Sequence, residues 1–187
     1  MTLVEVKGKS GLASENDCQQ IVKFMNRRQK REIRKMGKGD EVHGVIVMNH
    51  QKNLPPLERA RSGFSERQIG DAQESETSLL NALELFQAFR AFLEGQLTLE
   101  DLDKSIHTPG LVEILPTRWR RLGVITKVYR RKEAVVLESE QEVASGDVVG
   151  WRLQEEMGLK FIEEEVLSIQ VSGKNVEAAL NGTEVGL

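Results

Sequence analysis

Apolar positions change their period from segment to segment in this chain, and each change marks an element. Leu3, Val4 and Val6 share a short strand, Leu3–Gly8, with Glu5 and Lys7. Period two sends both charged side chains to the same face. Lys9 to Ala13 is a Gly-containing turn, and Ser14 with Asp17 forms an approximate capping box. Cys18, Ile21, Val22, Met25, Ile33 and Met36 then recur at near-helical spacing over residues 15–36, before Gly37 and Gly39. Val42–His50 reads as a strand buried on both faces, as in a sheet covered by helices. Strand, crossover helix and buried strand make a βαβ-like unit.

Gln51 to Gly63 is a long loop containing Pro55-Pro56. Ser65 with Gln68 caps a helix to about Ser75, and Thr77–Asn81 is a candidate strand. Leu83, Leu85, Phe86, Phe89, Phe92 and Leu93 build an amphipathic helix stopped by Gly95. Thr98 with Asp101 opens another, to about Ile106, and Thr108-Pro109-Gly110 breaks the chain. Beyond Leu111 the candidates are short strands: Leu122–Val128, Ala134–Leu137, Val148–Leu153, Phe161–Val171 and Glu184–Leu187. Ser145-Gly146-Asp147 and Ser172-Gly173-Lys174 supply turns. The texture predicts a small antiparallel β-barrel, or a sandwich of similar size. The expected fold class is therefore α/β over 1–108 followed by all-β over 118–187.

Composition adds bounds. The 187 residues are 39% apolar and 29% charged with net charge −3, so any nucleic-acid site must be local. A single Cys18 excludes an internal disulfide framework and fits a reducing compartment. No apolar run reaches membrane-span length, and residues 1–10 lack the apolar stretch of a signal peptide. The expectation is a cytoplasmic protein with no membrane association.

Charge is concentrated in two places. Lys23, Arg27, Arg28, Lys30, Arg31, Arg34, Lys35 and Lys38 crowd the first helix, where they can meet a phosphate backbone or simply stay solvated. Arg118, Arg120, Arg121, Arg130, Arg131 and Lys132 interleave with Trp119 and Tyr129, a composition suited to single-stranded nucleic acid or to ordinary packing of Trp119. His43, His50 and His107 lack metal-ligand spacing, and there is no phosphate-binding glycine loop.

The order of Glu5-Val6-Lys7, crossover helix and buried strand resembles the later part of a PD-(D/E)XK, or restriction-endonuclease-like, domain. Asn49-His50-Gln51, Leu54-Pro55-Pro56-Leu57-Glu58-Arg59, Phe64-Ser65-Glu66-Arg67-Gln68-Ile69 and Leu79 to Phe86 extend the likeness. The resemblance implies a Mg²⁺-dependent nuclease-like protein acting on phosphodiesters. Glu5 and the Val6 carbonyl would be metal ligands, and Lys7 would orient water or stabilise transition-state charge. Arg27, Arg28, Arg31, Arg34, Lys35, Arg120 and Arg121 are the candidate nucleic-acid contacts, with DNA favoured over RNA. The superfamily also carries an acid on a strand before E-x-K, whereas Met1-Thr2-Leu3-Val4 contain none. An N-terminally incomplete domain is expected, through a truncated reading frame, degeneration, or a separate N-terminal chain; a homo-oligomer is a further option. The first expectation is thus a Mg²⁺-dependent nuclease or its inactive remnant, and the alternative is a non-catalytic nucleic-acid- or protein-binding module. Asp17, Asp40, Glu41 and Asp71 are later acids that no spacing argument brings beside Glu5.

Gly123-Val124-Ile125, Val143 to Val149, Val166-Leu167-Ser168-Ile169 and Gly182 to Leu187 resemble, in order, the translation-factor β-barrel typified by the second domain of elongation factor Tu. That likeness implies a substrate-binding accessory to the nuclease-like part, without a GTPase domain.

Overall fold

The computed structural model of the protein describes residues 1–36, 42–129, 134–155 and 158–187. Asp40, Glu41, the Gly37 and Gly39 helix stop, and Arg130, Arg131 and Lys132 lie outside the described residues. The chain divides into two units, Met1–Thr117 with Gln154–Leu159, and Arg118–Leu153 with Lys160–Leu187.

The first unit runs β1 (Thr2–Gly8), α1 (Glu15–Met36), β2 (His43–Asn49), α2 (Glu66–Glu74), β3 (Thr77–Asn81), α3 (Ala82–Leu93), α4 (Leu99–Ile106) and β4 (Gly110–Leu111). Its four strands pair in parallel in the order β1-β2-β3-β4. Parallel neighbours need crossovers, and every connection here contains a helix. Val45, Ile46, Val47 and Met48 are all buried, so β2 is covered on both faces. Ile46 and Met48 pack with Ile21 of α1, Ala72 of α2, Phe64 and Leu79. Alternation sends Val45 and Val47 to the opposite face, where α3 meets β2 and β3 through its buried side, Ala88 and Ala91.

Gly44 lets α1 approach β2. A Cβ there would collide with the Met25 sulfur and lie 2.9 Å from Ile21 Cγ1. The edge strand β1 is covered on one face only. Leu3, Glu5 and Lys7 turn towards the helices, while Val4 and Val6 are 60% and 73% exposed on the other side.

Both sequence-expected capping boxes of the later helices form. Ser65 and Gln68 cap α2 reciprocally, and Thr98 and Asp101 cap α4. Asp101 also accepts from the Thr117 amide at 2.6 Å. Burial opposes its ionisation, but the Thr117 and Thr98 hydrogen bonds outweigh it and hold the pKa at about 2. No helix among the described residues is long and apolar enough to cross a membrane.

The second unit contains β5 (Gly123–Tyr129), β6 (Ala134–Ser139), β7 (Val143–Ala144), most of β8 (Val148–Glu155) and of β9 (Gly158–Glu165), β10 (Ile169–Val171), β11 (Lys174–Val176), β12 (Ala178–Ala179) and β13 (Glu184–Gly186). They form a five-stranded sheet, β11-β10-β13-β6-β5, and two two-stranded ladders, β12-β7 and β8-β9. Val143, Val166, Ile169, Ala179 and Val185 make its core. The protein is thus a mixed α/β fold with several sheets, and no sheet among the described residues closes into a barrel.

One expected strand is corrected. Phe161–Val171 is two strands, β9 and β10, because the chain turns at Val166 to serve the 145–147 turn. Val166 donates its amide to the Asp147 carbonyl at 2.8 Å, and its own carbonyl accepts from Gly146 at 2.9 Å. The two pieces then join different ladders.

Gly44→Ala is expected to destabilise the first unit by about 1–3 kcal/mol through overpacking, read by urea denaturation. Asp101 is more acidic folded than unfolded, so its stabilisation is complete above about pH 4 and is lost as pH falls towards 2. Asp101→Asn should therefore cost about 2 kcal/mol near pH 7, and its difference from wild type should shrink progressively in acid.

Candidate functional site

The parallel register sets Glu5 beside Ile46 and Lys7 beside Met48, with both charged side chains on the helix-covered face of β1. The first turns of α1 meet them there. Asp17 and Gln20, three positions apart, share a helix face. Lys7 Nζ donates to Gln20 Oε1 at 2.8 Å and to Asp17 Oδ1 at 3.2 Å, and pairs with Glu5 Oε1 at 3.2 Å. Burial alone would lower the Lys7 pKa, but hydrogen bonds and charge from Asp17 and Glu5 raise it overall. The ammonium is therefore held charged.

Asp17 gathers more than Lys7. Its Oδ2 accepts from the Ser14 amide at 2.8 Å, the Ser14 hydroxyl at 2.5 Å and the Lys9 ammonium. Burial pushes against ionisation, yet Lys9, Ser14 and Lys7 keep this carboxyl well below the usual carboxylate range. The expected Ser14–Asp17 box is half formed. Asp17 accepts from the Ser14 amide as such a box requires, but the Ser14 hydroxyl donates to Asp17 rather than accepting from its amide.

Glu5 is treated differently. Its Oε1 faces Lys7, while Oε2 is buried with no hydrogen-bond partner. A buried carboxylate oxygen left without a donor is costly. It is the atom here that best fits a hard cation. The fit is partial, because among the described residues no three His, Cys, Asp or Glu side chains are grouped to hold a metal. Nearby Cys18 offers no alternative nucleophile, since burial and the Asp17 charge push its thiol up to about 11.

Beside Glu5, β1 and α1 flank a cavity of about 410 Å³ that is open to solvent. Arg27, Arg28 and Arg31 line it together with Glu5, over apolar surface from Ile21 and Phe24. Arg27 and Arg31 are exposed and Arg28 is half-buried. Arg34 and Lys35 lie on the same helix, but their side chains fall outside the described residues. Val6 is an ordinary edge-strand residue whose side chain leaves on the bare face.

Arg120 and Arg121 belong to the second unit. Arg120 is exposed, and Arg121 Nε donates to Glu140 at 3.0 Å. Neighbouring Arg118 engages Glu163 through Nε and Nη2 at 3.0 and 2.7 Å, and the Trp119 indole donates to the same oxygen at 2.7 Å. Trp119 also packs edge-on against Phe161. Much of this basic-aromatic group is thus paired within its own unit.

The Asn49-His50 and Pro-Pro-x-Glu-Arg segments build a loop brace. Arg59 donates to Asn49 Oδ1 at 2.7 Å and to the Leu54 carbonyl at 3.0 Å, and His50 Nε2 lies 2.8 Å from the Ala60 carbonyl. Sequence reasoning missed Asp17 and Gln20 as neighbours of Lys7, and Phe24 as a cavity residue. The signal was present in the helical spacing of 17, 20, 24, 27, 28 and 31, once that face is turned towards β1. Asp17 shares Lys7 with Glu5, a link through Lys7 that no spacing argument supplies.

Compared with known families and curated proteins, the chain matches no family model and no curated sequence.

Asp17→Asn leaves Lys7 and Lys9 without their shared counter-charge. It is expected to cost about 1.5–3 kcal/mol in urea denaturation, the range for hydrogen bonds to charged groups.

Proposed function

We propose that this protein is a nuclease-like, metal-dependent phosphodiester-binding protein, with Glu5 and Lys7 as its reactive pair. The observation that carries this reading is the juxtaposition of the unpartnered Glu5 Oε2 with the three arginines of the adjoining cavity. Glu5, with the Val6 carbonyl, would hold Mg²⁺, and substrate phosphate and water would complete its oxygen ligands. Bound there, the ion would supply Lewis-acid stabilisation and lower the pKa of a bound water. Lys7 brings a fixed positive charge to the same face, suited to electrostatic stabilisation of a crowded phosphate. Arg27, Arg28 and Arg31 supply non-specific affinity for a nucleic-acid backbone, DNA in preference to RNA.

The likeness of the sequence to the later part of a restriction-endonuclease-like domain followed by a translation-factor-like barrel supports the same reading. The second unit is then an accessory binding module, and the protein works in the cytoplasm. A non-catalytic binding module is the second reading. It is favoured by the engagement of Lys7 with three side-chain oxygens and by the lack of a three-acid cluster among the described residues.

Cleavage of DNA and RNA with Mg²⁺ or Mn²⁺ separates the two. The wild-type chain should cleave, and Glu5→Gln should lose at least about 100-fold, the scale of removing a principal electrostatic group. Absence of cleavage by the wild type would leave the binding module.

A further inference from the structure

We infer that the cavity between β1 and α1 receives one unpaired nucleotide of a single strand, with its base on Phe24 and its phosphates on Arg27 and Arg31. The inference rests on the nucleic-acid reading above and narrows it to a substrate class. Three observations bring it together. First, the volume of about 410 Å³, open to solvent, is small-ligand size and matches a single nucleotide. Second, its lining is divided, with arginines on one part and an aromatic ring on the other. Phe24 is 43% exposed, and one turn further along α1 stand Arg27 and Arg28, with Arg31 a turn beyond. A flat apolar ring beside guanidinium groups suits a base joined to phosphate.

Third, Arg27 and Arg31 engage no carboxylate among the described residues. Arg61, Arg67, Arg90, Arg118 and Arg121 each pair with a glutamate. Arg27 and Arg31 stand one helical turn apart, about 6 Å along the axis, and can reach neighbouring phosphates of an extended strand. A duplex would offer its phosphates to these arginines but keep its bases stacked away from Phe24. The strand so docked passes beside Glu5, which lines the same cavity.

The test is fluorescence-anisotropy binding in EDTA, so that strand docking and metal-dependent cleavage are read separately. The probes are labelled oligo-dT of about a dozen nucleotides, enough to cover one such site, an abasic strand of equal length, and a blunt duplex. Oligo-dT should bind at least about 10-fold more tightly than either control, as loss of one stacked base predicts. Phe24→Leu should reduce oligo-dT to the level of the abasic strand while leaving the abasic strand unchanged. Arg27→Gln with Arg31→Gln should weaken both strands and lower the slope of log K against log salt by about 1.4, two phosphate contacts' worth. Equal affinity for duplex or abasic strand would overturn the proposal. So would equally good competition by poly-glutamate, or no binding of any strand.

Discussion

The Asp17 carboxylate fixes the geometry on which the first unit's candidate chemistry depends. It draws the ammonium groups of Lys7 and Lys9 and the amide and hydroxyl of Ser14 onto two oxygens. The end of β1 is thereby tied to the start of α1. Ion pairs in full solvent contribute little, because water screens them and long side chains must be ordered. This carboxylate is buried, so its partners must stay in place to compensate for lost hydration. Once α1 is pinned at that end, the rotation of the helix is set, and Gln20, Phe24, Arg27, Arg28 and Arg31 follow along one side.

The covering of the sheet is equally unequal. Central β2 has no solvent face, and its hydrophobic run is served by α1 on one side and α3 on the other. At β1 only the first of these layers continues. Glu5 and Lys7 therefore sit under helix while Val4 and Val6 meet water. A charged pair under cover next to an apolar pair in solvent inverts the usual preference. Polar groups are placed in this way when a low-dielectric setting strengthens their interactions, and Glu5 with Lys7 is such a setting.

Local chemistry was legible in the sequence and distant chemistry was not. The boxes Ser65–Gln68 and Thr98–Asp101 could be read because donor and acceptor lie within one turn of each other. The buried character of β2 was equally plain from its unbroken apolar run. The strand parity of Glu5 and Lys7 was readable, but not which face is covered, since that depends on where α1 docks. The same docking brings Asp17 to Lys7, which hid it from any argument by spacing. The break between β9 and β10 comes from Val166 bonding to a turn some twenty positions earlier. Arg118 and Arg121 looked like free charge because their glutamate partners lie on distant segments.

The ladder register has a consequence for how the chain acquires its structure. In the first unit Glu5 pairs with Ile46, Ile46 with Leu79, and Leu79 with Leu111. Each pairing spans roughly thirty positions or more, so none can zip from a hairpin, and loop-closure entropy must be met before any ladder forms. The second unit has neighbours in sequence that are neighbours in the sheet, such as β5 with β6 and β10 with β11. Hairpins of that kind assemble in microseconds. The chain thus joins a half with local nuclei to a half whose sheet appears only as its crossover helices collapse onto it. Refolding should report two rates, the slower belonging to the half that holds Glu5.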